Sequence, residues 1–125
     1  EGQCDCLNIM NGEVLPLSVK HSMSTNIGYM NINKVEKLNH QIDIAEKRSI
    51  EIDTNSSGKH NHNLVYFTHS YYVPATSSTS YTTSLSNSLK ITAIASNGQN
   101  IFGTQFHPEL SNVWGRSIIK NFIML

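Results

Sequence analysis

The 125 residues suffice for one ordinary domain, and a hydrophobic content of 38% is lean for a globular core. Nine basic and nine acidic side chains cancel, and no stretch collects Lys and Arg between aromatics, so charge leaves no footprint of a nucleic-acid partner. No apolar run approaches the roughly 20 residues of a membrane span, and the opening EGQCDCLNIM lacks the basic and apolar regions of a signal peptide; a soluble, cytoplasmic protein with no membrane partner is expected.

Cys4 and Cys6 form C-x-C, too few for a disulfide framework and without the second pair a structural zinc site needs, so neither metal nor cofactor is expected. The first residue is not Met and the chain opens in polar text, which suggests a fragment or a processed chain. Residues 6–17, CLNIMNGEVLPL, place apolar residues on both sides of Asn11-Gly12 and predict two short strands joined by a tight turn, the second lying at a sheet edge or ending at Pro16. NIGYMNINKVEKL, residues 26–38, predicts a bend at Gly28 and then a short strand through Met30 and Ile32. From 39 to 63 the text is polar; Ile42, Ile44, Ile50 and Ile52 allow either weak strands or a surface excursion, and His60 and His62 lie in a Ser/Gly/Asn loop.

LVYFTHSYYV, residues 64–73, is dense in β-branched and aromatic residues and closes at Pro74: a strand. The low-complexity ATSSTSYTTSLSNS that follows tolerates a half-buried strand around Tyr81. LKITAIAS (89–96) alternates cleanly, SNGQN supplies a turn, and NIFGTQF (100–106) completes a hairpin. In SNVWGRSIIKNFIML, Trp114, Ile118 and Phe122 repeat at i, i+4 and i+8, predicting a helix capped by Ser111 or Asn112, with Val113, Trp114 and Phe122 in the core.

Between the last strand and that helix stands GTQFHPELS, residues 103–111. Pro108 restricts His107 to extended backbone and fixes its own φ, so the directions of the His107 and Glu109 side chains are set by the chain. A carboxylate beside an imidazole holds one tautomer and stabilises the imidazolium formed when the ring takes a proton. His107 then reads as a base and Glu109 as its orienter, with a Cys thiol the natural group to activate; a strand-end histidine bonded in a turn is the plainer alternative.

A second stretch adds to this. YFTHSY (66–71), followed downstream by GTQFHPE, by S-x-x-x-G and by an apolar helix containing NF, resembles the C-terminal half of class I, triad-type glutamine amidotransferases. Within that superfamily the chain is most similar to the glutaminase subunits of imidazole glycerol phosphate synthases. CLNIMNGEVLPL resembles that family's G-L-x-L-I-x-G-x-V with Cys6 at a glycine position, and NIGYMN resembles its H-x-G-W-N with Tyr29 in place of the tryptophan. The similarity runs from about Cys6 to Phe122 and is thin over 36–63.

The resemblance implies an α/β fold: residues 1–125 as one partial domain, the C-terminal half of a flavodoxin-like, mixed-sheet amidotransferase, here mostly strands with one terminal helix, leaving a large apolar face uncovered. It implies a triad in which His107 and Glu109 are base and orienter, and a glutamine-binding segment matching His69, Ser70 and Tyr71. The family nucleophile sits in G-x-C-x-G at a strand-to-helix elbow. Neither Cys4 in GQCDC nor Cys6 in CDCLN lies in that motif, so the chain as given is expected to begin downstream of the elbow and to have little activity alone. The implied substrate is glutamine and the implied partner a (β/α)₈-barrel cyclase in a heterodimer that uses the released ammonia for histidine synthesis. The alternatives are another class I amidotransferase serving anthranilate, purine or sugar amination, a non-catalytic binding module of the same fold, and a small metal-binding protein using His60, His62, Cys4 and Cys6.

Overall fold

A computed structural model describes residues 6–20, 24–35, 43–45, 64–85 and 89–125. In chain order its elements are β1 (Leu15–Pro16), a single helical turn α1 (Leu17–Lys20), β2 (Asn26–Lys34), β3 (Leu64–His69), β4 (Tyr71–Tyr72), β5 (Thr79–Ser84), β6 (Lys90–Ser96), β7 (Phe102–Thr104), a 3₁₀ turn at Pro108–Leu110 and α2 (Asn112–Ile123). Five strands form one sheet in the order β3-β2-β5-β6-β7, and β1 pairs with β4 in a separate two-stranded ribbon. Every pairing among the described strands is antiparallel. The mixed α/β character is that of strands with one terminal helix.

Period-two patterning explains β2 and β3. Met30 and Ile32 lie on the face that holds Val65 and Phe67, while Ile27 and Tyr29 look outward with Tyr66 and Thr68. Ile32, Val65 and Phe67 have no exposed surface, and burial of such a side chain stabilises by roughly 1.5–3 kcal/mol each. They join Ile44, Tyr81, Ala93, Ile94, Phe106 and Ile118 in the main core, with Met30, Phe102 and Trp114 packed against it. A smaller cluster of Leu17, Tyr72, Leu85 and Ile91 fastens the ribbon.

Several expectations are corrected. Asn11-Gly12 does not join two strands: only Leu15–Pro16 extends, and it pairs with Tyr71–Tyr72 instead, leaving Leu7, Ile9 and Val14 exposed. Pro16 does end the strand, and the amide of the next residue, Leu17, donates to Ser70 O at 2.9 Å. Gly28 is not a bend before a strand but lies inside β2 opposite Phe67, at φ +138°; a side chain resists that conformation, so glycine lets the strand continue. The apolar stripe of α2 faces differently from its i, i+4 spacing. The buried residues are Gly115, Ile118 and Asn121, Trp114 packs on Phe106 and Tyr81 with ring centroids 6.3 and 6.4 Å away, and Val113 and Phe122 are 54% and 48% exposed. The missing side chain of Gly115 draws the helix in along the Gly115–Ile118 line, and Asn121 follows inward by donating to Ile44 O at 2.7 Å. Ile44 is thus core; Ile42, Ile50, Ile52, His60, His62 and Cys4 lie outside the described residues.

The low-complexity segment forms the middle strand of the sheet, more deeply buried than its composition suggests, with Tyr81 in the core. Two of its buried hydroxyls, those of Thr79 and Thr83, are hydrogen-bonded. The Thr76 amide donates to Thr79 Oγ1 at 2.8 Å, and Thr92 Oγ1 donates to Pro74 O at 2.9 Å. The Thr79 hydroxyl, 2.8 Å from Thr92 Oγ1, must therefore donate to it. Thr83 Oγ1 similarly donates to Asn31 O at 2.8 Å. Thr92→Val keeps the shape and strands both neighbours; we expect a loss of about 1–3 kcal/mol in urea unfolding, and a smaller loss for Thr92→Ser.

Candidate active site

His107 follows the last strand with φ −90° and ψ 99°, the extended backbone that a following proline enforces. Pro108 opens the 3₁₀ turn, which brings Glu109 back beside the ring: His107 Nδ1 and Glu109 Oε1 are 2.7 Å apart. An ionised carboxylate only accepts, so Nδ1 carries the proton and Nε2 is left as an acceptor. Hydrogen bonding from His107 holds the Glu109 carboxyl below its ordinary value, with the imidazole charge adding to that. Both side chains are open to solvent, at 39% and 57% exposure, so attraction alone contributes little; geometry is what the proline-bounded turn provides.

The turn is seated by backbone bonds. The His107 amide donates to Tyr66 O at 2.9 Å, the Leu110 amide to His107 O at 3.1 Å and the Ser111 amide to Pro108 O at 3.1 Å. Tyr29 OH donates to Leu110 O at 3.2 Å, and its ring meets Tyr66 edge-on at 5.2 Å. The Tyr66 ring lies 6.4 Å from the imidazole. Beneath the turn, Gly115 leaves the space that Pro108 O and Ser111 occupy.

His69 ends β3, Ser70 is the bend at which the chain leaves the five-stranded sheet, and Tyr71 begins the ribbon. His69 lies three positions along β3 from Tyr66, about 10 Å along a strand, and among the described residues no hydrogen bond or ring contact joins the two histidines. Both nitrogens of His69 are engaged: one is 2.9 Å from Tyr71 O, which takes the Nδ1 proton, and Nε2 accepts from Asn26 Nδ2 at 3.0 Å. Burial holds this imidazole below its ordinary value, against the raising effect of the Tyr71 carbonyl. Ser70 Oγ meets Thr25 Oγ1 at 3.0 Å and Tyr71 is 45% exposed. Asn26 has no signature in sequence, since its partner lies 43 residues away.

A groove of about 410 Å³ runs along the outer face of α2 between Arg116, Ile119, Lys120, Ile123 and Met124 and ends at Glu109, without reaching His107. Among the described residues no three metal-ligating side chains converge, and none of the helices is long and apolar enough to cross a membrane.

A strand-end imidazole whose Nδ1 is held by a carboxylate and whose Nε2 is open can serve as the base of nucleophilic acyl transfer. Comparison with known proteins carries this further. The family model described as glutamine amidotransferase class-I matches residues 7–125, and the chain belongs to that family. It is 30% identical over 125 residues to the imidazole glycerol phosphate synthase subunit HisH of Bacteroides thetaiotaomicron, covering all of this chain and 55% of that protein. The Bacteroides fragilis subunit of that name is 31% identical over 126 residues, with 100% and 55% covered. The Methanosarcina barkeri one is 32% identical over 120 residues, with 95% and 52% covered. The chain spans about half the length of these curated relatives.

Two outcomes check the site. In Gly115→Ala a Cβ would overlap Pro108 O and lie 2.5 Å from Ser111 Cβ; lifting the turn should cost about 1–3 kcal/mol in urea unfolding and disturb the His107 ring signals. The second concerns His69. Its folded value is lowered, so below about pH 6.5 the unfolded chain takes up the proton first. The His69 contribution is therefore complete above about 6.5 and lost as pH falls toward the lowered value; unfolding at about pH 5.5 and 7.5 should show this slope, and His69→Gln should flatten it.

Proposed function

We propose that the chain carries the base, the orienting carboxylate and part of the glutamine site of a glutaminase of the imidazole glycerol phosphate synthase type. The observation that carries the reading is the 2.7 Å bond between His107 Nδ1 and Glu109 Oε1, which leaves Nε2 to act. In this reading Nε2 takes the proton of a cysteine thiol. The thiolate attacks the carboxamide carbon of glutamine, the carbon–nitrogen bond breaks, and His107 returns the proton to the leaving ammonia. A water molecule, deprotonated at the same nitrogen, then cleaves the thioester, releasing glutamate and restoring the thiol. Glu109 stabilises the imidazolium at each stage.

His69, Ser70 and Tyr71 contribute through the backbone in this scheme, which the engagement of both His69 nitrogens supports. Beyond Tyr66 the outer edge of β3 at Thr68 offers an amide and a carbonyl to an extended amino-acid ligand. The thiolate comes from polypeptide outside residues 1–125, since neither cysteine of the sequence lies in G-x-C-x-G. That polypeptide also covers the exposed apolar residues of α2, among them Ile119, Phe122 and Ile123. The partner is a cyclase subunit that consumes the ammonia in histidine synthesis, and the complex is a cytoplasmic heterodimer. The absent nucleophile motif equally favours a second reading, a binding module that keeps the fold without the reaction.

Glutamate release from glutamine separates the readings. Residues 1–125 alone should release none above background. A form extended upstream in the source genome, with the cyclase present, should release it, and His107→Ala in that form should lower turnover by about 10²–10⁴-fold. Activity in neither form favours the binding module; activity of residues 1–125 alone would make Cys4 or Cys6 the nucleophile and refute the scheme.

A further inference from the structure

We infer that Ser111 is a positioning residue for His107, its hydroxyl bridging the Tyr66 amide and the His107 carbonyl at the outer edge of β3 so as to fix the backbone from which the imidazole projects. The assignment of His107 as a base rests on the reading above; the placement of the hydroxyl does not.

Two residues opposed in an antiparallel ladder at a hydrogen-bonded position exchange two bonds, each amide reaching the other's carbonyl. Tyr66 and His107 make the first directly, His107 N–H to Tyr66 O at 2.9 Å. The second is interrupted. Tyr66 N–H donates to Ser111 Oγ at 2.9 Å, and Ser111 Oγ–H donates to His107 O. A hydroxyl can do this because it accepts and donates at once, and Ser111 has no exposed surface through which water could take its place.

The insertion separates the two chains by one group just where Pro108 turns the backbone away. The ring is held by a closed circuit: His107 N–H to Tyr66 O, Tyr66 N–H to the hydroxyl, and the hydroxyl back to the His107 carbonyl.

The ordinary employment of a serine at a helix start is to cap the first turn, and Ser111 does not do so. Asn112 takes that task, its Oδ1 accepting from the Trp114 amide at 2.8 Å from a residue at φ +53°. Ser111 is freed to face the strand, with its carbonyl accepting from the Gly115 amide at 2.8 Å. Loss of the hydroxyl leaves the Tyr66 amide and one acceptor site of the His107 carbonyl without their partner, while the His107–Glu109 side chains themselves are untouched.

NMR of the chain reads both ends of the circuit. In the unmodified chain the Tyr66 amide should exchange slowly and show a nuclear Overhauser effect to the Ser111 β-protons, and His107 should be mainly the Nδ1–H tautomer. In Ser111→Ala we expect Tyr66 exchange to quicken by about tenfold or more and the Nδ1–H tautomer fraction to fall, while the amides of β5 and β6 keep their protection. Ser111→Thr, which retains the hydroxyl, should restore both signals. Rapid Tyr66 exchange in the unmodified chain overturns the proposal, as does a Ser111→Ala chain with intact β5 and β6 and unchanged His107 signals. If Ser111→Ala does not fold, the unmodified chain and Ser111→Thr decide: a folded Thr variant that loses Tyr66 protection overturns it. Glutamine turnover enters none of these readings, so failure of the glutaminase scheme and failure of this assignment are seen separately.

Discussion

An edge strand has to do something with the backbone groups that face away from its neighbour, and the way β3 meets this requirement organises the candidate site. Its outer edge is closed not by another strand but by the segment His107–Asn112. The His107 amide takes Tyr66 O, the Ser111 hydroxyl takes the Tyr66 amide, and Asn112 Nδ2 takes Leu64 O at 3.1 Å. The loop that carries the two ionisable side chains is therefore also the cover of the sheet edge. It cannot drift without breaking the bonds that satisfy the part-buried backbone of β3 at Tyr66, so the solvent-open His107–Glu109 pair depends on the covering of that edge.

That dependence extends to the helix. Gly115 admits Pro108 O and Ser111 against α2, which lets Ile118 reach the core beside Phe106 and Phe67. A larger residue at 115 would hold off the helix and the turn together. The S-x-x-x-G spacing is thus one packing feature, in which serine supplies the bond to the strand and glycine supplies the room. The cost of drawing the helix in along this line is visible on its far side, where Ile119, Phe122 and Ile123 remain exposed around the groove that ends at Glu109.

Legibility in sequence followed how local the determining physics was. β3, β6 and the turn at Asn97–Ile101 were readable because their alternation and turn chemistry are carried by neighbouring residues; Asn97 Oδ1 alone accepts from three following amides at 3.0–3.1 Å. The His107–Glu109 pair was readable because a proline sets its geometry. The depth of β5 is not legible in the sequence, because burial of Thr79 and Thr83 depends on partners at Thr92 and Asn31, contributed by other strands. The buried face of α2 is not legible in the sequence, because an i, i+4 apolar stripe says which residues are apolar but not where the sheet approaches, and a glycine and an asparagine decide that here. The hairpin expected around Asn11-Gly12 lost to a non-local partner, Tyr71–Tyr72.

The two histidines show what separates a structural imidazole from one available for chemistry. His69 ends β3 and His107 stands three residues beyond β7, and both place Nδ1 on an acceptor, Tyr71 O for His69 and Glu109 Oε1 for His107. The difference lies at Nε2 and in the charge of the acceptor. Asn26 donates to Nε2 of His69, so a proton arriving there must displace a hydrogen bond in a half-buried setting that already disfavours the charged ring. At His107 the acceptor is a carboxylate, and among the described residues no hydrogen bond reaches Nε2. Proton uptake is thus opposed at His69. Nothing in the histidines themselves distinguishes them; an amide contributed from across the sheet and a carboxylate two residues along the chain do.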